Sequence, residues 1–69
     1  MNQNESNTYR ILYDTFEKLV LNKPEASQIL NISVQTLDRM RKSGEIKSMR
    51  INKGVFFSIK EIANYIDHQ

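Results

Sequence analysis

Hydrophobic residues near the start of the chain recur at the spacing of a helix, and this pattern predicts a first helix. Between residues 8 and 20 apolar side chains recur at steps of three and four, with charged residues between them. A single apolar stripe on a polar helix is typical of a helix packed on a core, and a partner-binding face is the alternative. The stripe comprises Tyr9, Leu12, Tyr13, Phe16, Leu19 and Val20.

A pair of short helices follows, and local residues mark where each one begins and ends. Asn22, with Glu25 three positions later, matches a capping box at the start of the first helix. We expect Asn31 to end that helix, because asparagine tolerates the left-handed conformation found after helices. Ser33 then caps a second helix, and Gly44 ends it.

The second helix of the pair has a narrow apolar stripe. Only Leu37 and Met40 are expected to face inward, so the helix buries little of its surface. A short polar helix after a tight turn is the arrangement that helix-turn-helix proteins place in a groove of nucleic acid. Its remaining positions carry polar and charged residues: Gln35, Thr36, Asp38, Arg39, Arg41 and Lys42. We expect Asp38 to pair with Arg41 or Lys42, three and four positions on, and accepting a hydrogen bond from cytosine is the alternative.

A two-stranded β-hairpin is predicted directly after these helices. Residues 52–54 read Asn-Lys-Gly, a turn signal in which we expect Gly54 to supply the positive φ. Strand-forming residues flank this turn on both sides. The hairpin places Lys53 at its tip and Arg50 near its base, and a hairpin that follows a helix-turn-helix is a wing.

The end of the hairpin leads into a last helix. Ser58 and Glu61 match a second capping box, and Phe57 and Ile62 have the spacing of a hydrophobic staple. Since neighbouring residues of a strand face opposite ways, Phe57 is expected to point inward and Phe56 outward. Phe56 then covers the N-terminal helix or remains an exposed contact.

These elements predict one mostly α domain with a small β-hairpin, a winged helix-turn-helix. Residues 1–7 are polar and aperiodic, and we expect them to be a disordered tail. The domain spans residues 8–69. Its parts are an extra N-terminal helix (8–20), the helix-turn-helix (22–44), the wing (45–58) and a C-terminal helix (59–67).

Composition excludes several classes of function. A chain of 69 residues without cysteine has no disulfide, thiolate metal site or thiol nucleophile, and its only histidine, His68, lies in the terminal segment. There is no glycine-rich phosphate loop, so we predict no enzyme, no cofactor and no metal site. No apolar run approaches the length of a membrane span and the N-terminus lacks a signal peptide's apolar core, so we expect a cytoplasmic protein.

Positive charge is concentrated in one stretch of the chain. Residues 39–60 carry seven lysines and arginines against Glu45 alone, a net charge of +6, whereas residues 1–38 and 61–69 each carry −2. A concentration of cations indicates a polyanionic partner, although a solvated basic surface is the alternative.

From residue 21 to about residue 66 the sequence resembles the excisionase and MerR-type winged helix-turn-helix domains. Asn31 stands where that family usually has glycine, and Val34 and Asp38 depart from its usual polar-basic or aromatic positions. The matching residues are Leu21, Glu25, Ala26, Ile29, Leu30, Asn31, Ile32, Ser33, Thr36, Leu37, Arg39, Met40, Ser43, Gly44, Phe57, Ile62 and Ile66. The resemblance implies that Gln35, Thr36 and Arg39 lie in the major groove and that Lys53 acts from the wing.

The chemistry of the side chains adds further expectations. A guanidinium matches the two acceptors of guanine, so Arg39 reads a base or, equally, contacts a phosphate, and Gln35 pairs with adenine or is merely solvated. Thr36 contacts a phosphate or a thymine methyl group, or only fills the first turn. Contacts to the DNA backbone are expected from Ser33, Arg41 and Lys42, and contacts to the backbone or the minor groove from the wing residues Arg50 and Lys53. Simple solvation is the alternative for the cations.

The sequence therefore predicts a small protein that binds double-stranded DNA sequence-specifically. Its role is that of an excisionase-like recombination directionality or architectural factor, or of a compact transcriptional regulator. One chain has a single recognition helix, so self-association on DNA or a protein partner (an integrase or the transcription machinery) is expected. The alternative is a winged-helix adaptor that binds protein through the N-terminal stripe.

Overall fold

Four helices and one antiparallel sheet make up the part of the chain that the structure, a computed structural model, describes, residues 7–68. This architecture confirms the predicted mostly α, winged helix-turn-helix class. The predicted tail lies outside the described residues, except for Asn7, which is helical. In chain order the elements are α1 (Asn7–Phe16), β1 (Val20–Asn22), α2 (Lys23–Leu30), α3 (Val34–Ser43), β2 (Met49–Ile51), β3 (Gly54–Ser58) and α4 (Ile59–Asp67).

The capping residues of α2 and α3 act as the sequence predicts. The Asn22 side chain accepts the Glu25 N–H at 2.8 Å, and the Glu25 carboxylate accepts the Asn22 N–H at 2.9 Å, which completes the capping box. Asn31 ends α2 at φ 59°. Ser33 caps α3 by accepting the Thr36 N–H at 3.0 Å, and Gly44 ends it at φ 90°. Local interactions thus fix both ends of each helix, and those of Asn31 and Ser33 fix the turn between them.

The first helix is shorter than predicted, because α1 ends at Phe16 and the chain then changes direction. Glu17 has a left-handed backbone, with φ 56°, which a continuing helix does not permit. The last two residues of the predicted stripe are therefore not helical, and Val20 begins β1. Lys18 lies in this non-helical segment and forms an ion pair with Glu25 of α2, with Nζ 2.7 Å from the carboxylate.

The wing is part of a three-stranded sheet of order β1-β3-β2, not the isolated two-stranded hairpin that the sequence predicts. β1 adds to the far edge of β3, where Leu21 lies opposite Phe57. The left-handed residue of the turn is Asn52, with φ 58°, and not Gly54 as predicted. Gly54 is constrained in another way, since a Cβ there would lie 2.7 Å from the Phe56 ring.

The start of α4 also differs from the expected capping box. Ser58 accepts the Glu61 N–H at 2.9 Å, as predicted. The Glu61 carboxylate, however, accepts the N–H of Lys47 at 3.4 Å, and so connects α4 with the segment before β2. The Glu61 side chain thus links α4 to another segment of the chain and does not complete the capping box.

A compact set of apolar side chains joins the helices with β1 and β3. The largest fully buried members come from these two strands, from α3 and α4 and from the segment between α3 and β2: Leu21, Leu37, Ile46, Phe57, Ile59 and Ile62. α3 contributes only Leu37 and Met40, as predicted. Phe56, on the opposite face of the sheet from Phe57, is half-buried.

The stripe on α1 is mainly a core face. Leu12 is buried, Tyr9 and Phe16 pack against the core, and α1 packs on α4. The Thr8 hydroxyl donates to the Asp67 carboxylate at 2.7 Å and joins the opposite ends of these helices. Tyr13, which the stripe places inward, is 44% exposed.

Replacing Leu37 with alanine is expected to lower the free energy of unfolding by about 2–5 kcal/mol, because it leaves a cavity beneath α3. Val34→Ala, on the same helix but at a position 41% exposed, is the matched control and is expected to change stability by at most about 0.5 kcal/mol. Urea denaturation measures both values. Equal losses in the two variants would contradict the assignment of the buried face.

Candidate nucleic-acid interface

The outward face of α3 is polar and basic because its apolar residues are on the other side. Gln35 and Arg39, one helical turn apart, are both exposed and lie opposite Leu37 and Met40. Lys42 continues this face by almost one more turn and is exposed. α3 therefore presents an amide, a guanidinium and an ammonium group in one row, at the place where the sequence predicts groove contacts.

The turn before α3 holds the hydroxyl groups of Ser33 and Thr36 close together. Ser33 accepts the Thr36 N–H and donates its own hydroxyl to Thr36 Oγ1, both at 3.0 Å. Because the Ser33 hydroxyl is used within the turn, an anion at this end of α3 would meet the backbone N–H groups of the first turn. Thr36 is half-buried, on the flank of the outward row.

An ion cluster centred on Asp38 occupies the flank of α3 beside α2. Asp38 Oδ1 accepts both Nε and Nη2 of Arg41, at 3.0 and 2.7 Å, and lies 3.2 Å from Lys23 Nζ. Asp38 Oδ2 lies 3.9 Å from Lys42 Nζ. Both of the expected partners, Arg41 and Lys42, thus pair with Asp38. Lys23 was not predicted, since it lies 15 positions away on another helix.

These contacts lower the pKa of two carboxyl groups. The pKa of Asp38 lies below its ordinary value of 3.8, first because of hydrogen bonding to Arg41 and then because of Lys23. The pKa of Glu25 lies below 4.5, because its carboxylate accepts hydrogen bonds from Lys18 and from the backbone of Asn22. Both carboxyl groups are therefore ionised near neutral pH.

The remaining cations of the predicted site have no acidic partner within residues 7–68. Arg39 on α3, Arg50 on β2 and Lys53 in the turn between β2 and β3 are all exposed, and none of them forms an ion pair there. Arg41, by contrast, is half-buried and bound to Asp38. The structure thus separates the predicted cations into a paired group, Arg41 and Lys42 around Asp38, and an unpaired group, Arg39, Arg50 and Lys53.

The described residues show neither a metal site nor a membrane span. In the range 7–68 no three histidine, cysteine or acidic side chains are grouped so that they could hold an ion. None of the helices described there combines the length and the apolar character that crossing a bilayer requires. The one charged cluster that stands out is the Asp38 group, in which cations outnumber the carboxylate.

Comparison with known families agrees with this geometry. A family model described as a helix-turn-helix domain matches residues 20–69, more than half of the chain. The chain therefore belongs to the helix-turn-helix domain family and is a DNA-binding helix-turn-helix protein. The match begins at the first residue of β1, so α1 precedes it. No curated protein matches the sequence.

The lowered pKa of Glu25 predicts a sensitivity of the fold to acid. A depressed folded-state pKa adds stability that is present above the unfolded-state pKa, about 4.3, and is lost as the pH falls through the folded-state value. Glu25→Gln keeps the side-chain acceptor of the capping box but not the charge. We expect this variant to lose less unfolding free energy than the wild type between about pH 5 and pH 3.

Thermal or urea denaturation across this pH range measures the difference. Glu45→Gln removes a carboxylate that forms no ion pair among the described residues, and it is the matched control. A wild-type acid dependence that Glu25→Gln leaves unaltered would contradict the assigned role of the Glu25 carboxylate.

Proposed function

We propose that this helix-turn-helix protein binds double-stranded DNA sequence-specifically, with α3 in the major groove and the wing against the neighbouring backbone or minor groove. The observation that carries the proposal is the unpaired basic group: Arg39, Arg50 and Lys53 are exposed and have no acidic partner within residues 7–68. Unpaired cations release counterions when they meet phosphates, which provides affinity. Family membership makes DNA the polyanion.

The outward row of α3 supplies the base contacts. Arg39 donates to the two acceptors of guanine, and Gln35, nearer the start of the helix, pairs with adenine. Both side chains lie opposite the buried face, so they reach a groove without disturbing the core. Thr36, on the flank of this row, contacts a phosphate or a thymine methyl group.

The contacts to the DNA backbone come from both ends of the interface. Arg50 and Lys53 approach it from the wing, where the turn carries Lys53 clear of the core. Ser33 contributes through the N-terminus of α3, and Lys42 through its ammonium group at the other end of the helix. Arg41 joins this set from its position against Asp38.

The biological role is that of an excisionase-like recombination directionality or architectural factor, or of a compact transcriptional regulator. Both roles use the same contacts with DNA. One chain offers a single recognition helix and one wing, so strong binding needs several copies on adjacent sites or a protein partner. An integrase and the transcription machinery are the partners that fit the two roles.

A protein-binding adaptor is less well supported. The stripe on which that function would depend is mostly occupied, since Leu12 is buried and Tyr9 and Phe16 pack on the core. What remains outside is the exposed pair Tyr13 and Leu19, which line a surface groove of about 450 Å³ together with Tyr9, Arg10 and Asp14. An adaptor function would also leave the unpaired cations Arg39, Arg50 and Lys53 without a role.

Binding to duplex DNA is expected to depend strongly on salt. Neutralising about five phosphates gives a slope of about −4.5 for the logarithm of affinity against the logarithm of salt concentration. Fluorescence anisotropy with a random-sequence duplex at several salt concentrations measures the slope. An absence of binding at low ionic strength would refute the proposed function.

Arg39→Ala is expected to weaken binding to a preferred duplex, selected with the wild-type chain from a random library, by about 1–3 kcal/mol. It also relaxes the sequence preference at one position, because the guanidinium contacts a base edge there. Arg10→Ala, which removes a cation from α1, is the matched control and leaves that preference unchanged. If Arg39→Ala weakened binding to all sequences equally, Arg39 would be a phosphate contact instead.

A further inference from the structure

Asp38 is the one acidic residue of α3, the helix proposed to enter the groove. Its carboxylate is surrounded by three cations, with Arg41 at 2.7 Å, Lys23 at 3.2 Å and Lys42 at 3.9 Å. The Asp38 side chain is 28% exposed, so the cluster lies at the protein surface. An anion at this place opposes the negative charge of a nucleic acid, and it needs a physical explanation.

The cluster links α3 to α2 at the protein surface, where solvent screens ion pairs. The Asp38 carboxylate has no role in capping α3, which Ser33 performs. Beyond the link between the helices, the carboxylate changes the electrostatic potential beside the recognition helix. That potential governs the attraction of the protein to any duplex, whatever its sequence.

Asp38 reduces that attraction in two ways. It cancels one of the positive charges of Lys23, Arg41 and Lys42, so fewer counterions are released when this flank meets phosphates. It also holds the Arg41 guanidinium through two N–H groups, which would have to leave the carboxylate before they could contact a phosphate. Neither effect involves Arg39, which forms no ion pair within the described residues.

We propose that Asp38 restrains the sequence-independent attraction of α3 to DNA through its ion cluster and leaves the base contact of Arg39 intact. This attraction contributes to the binding of every duplex, so the restraint lowers the affinity and its salt dependence without changing which sequence is preferred. The inference rests on the proposed DNA binding. It gives Asp38 a role in DNA binding in addition to its ion pairs with Arg41 and Lys42 on the same helix.

Asp38→Asn tests the inference, with Asp14→Asn as the matched control. Both changes raise the formal net charge from +2 to +3. Asp14 lies on α1, which packs on α4, and it forms no ion pair in the described part of the chain. Affinities for a random-sequence duplex and for a duplex selected with the wild-type chain are measured by anisotropy over a range of salt concentrations.

For Asp38→Asn we expect random-duplex affinity to increase about fivefold to tenfold near 0.1 M salt, with a salt slope steeper by about one unit. Affinity for the selected duplex increases by a similar factor, so the ratio of the two affinities stays near its wild-type value. Asp38→Glu retains the charge and is expected to keep the wild-type affinities and salt slope. Asp14→Asn leaves the slope and the affinities near their wild-type values.

The opposite results are equally clear. If Asp38→Asn and Asp14→Asn had the same slope and affinities, or if Asp38→Asn only lowered the melting temperature, Asp38 would have a structural role alone. Should Asp38→Asn not fold, Asp38→Gln makes the same change in charge with a better helix former and carries the test. A wild-type chain that bound neither duplex would instead refute the proposed function, which is a separate result.

Discussion

The pairing of Leu21 with Phe57 across β1 and β3 is the contact on which the rest of the domain depends. Both side chains are completely buried and lie opposite each other in the sheet. Phe57 comes immediately before the Ser58 cap of α4, and Leu21 immediately before the Asn22 cap of α2. The pair therefore fixes the starting points of two helices. A chain of 69 residues has few large buried side chains, and each one stabilises several elements at once.

Because a few large side chains stabilise most of the elements, α3 can present a polar surface. The helix is held by Leu37 and Met40 and by its capping residues, and the sheet and α4 supply most of the buried surface. Since the outward row contributes no buried apolar area, its side chains can be chosen for contact with a ligand rather than for packing. The same division holds in the wing, where Phe57 is buried and Lys53 is fully outside.

The sequence predicts those features that local chemistry determines. The caps at Asn22, Asn31 and Ser33 each depend on bonds within three or four residues, so a reader of the sequence can identify them. β1 was missed because its three residues form a strand only by pairing with β3, some 36 positions later. The helical spacing of Leu19 and Val20 was coincidental. The turn differs as well: Asn52 has the positive φ, and Gly54 leaves room for the Phe56 ring.

In the candidate site, too, the sequence predicts the local contacts but not those between distant residues. The contacts that it does not predict affect function. Pairing of Asp38 with Arg41 follows from their spacing on one helix, but the contact with Lys23 requires that α2 and α3 be packed together. Charge summed along the sequence therefore overstates the cations that are free to meet DNA, because it counts Arg41 and Lys42 as if Asp38 did not hold them. Only the folded arrangement distinguishes paired from unpaired cations. Affinity for a polyanion depends mainly on the unpaired cations. The cations paired with Asp38 contribute less, because the carboxylate partly cancels their charge.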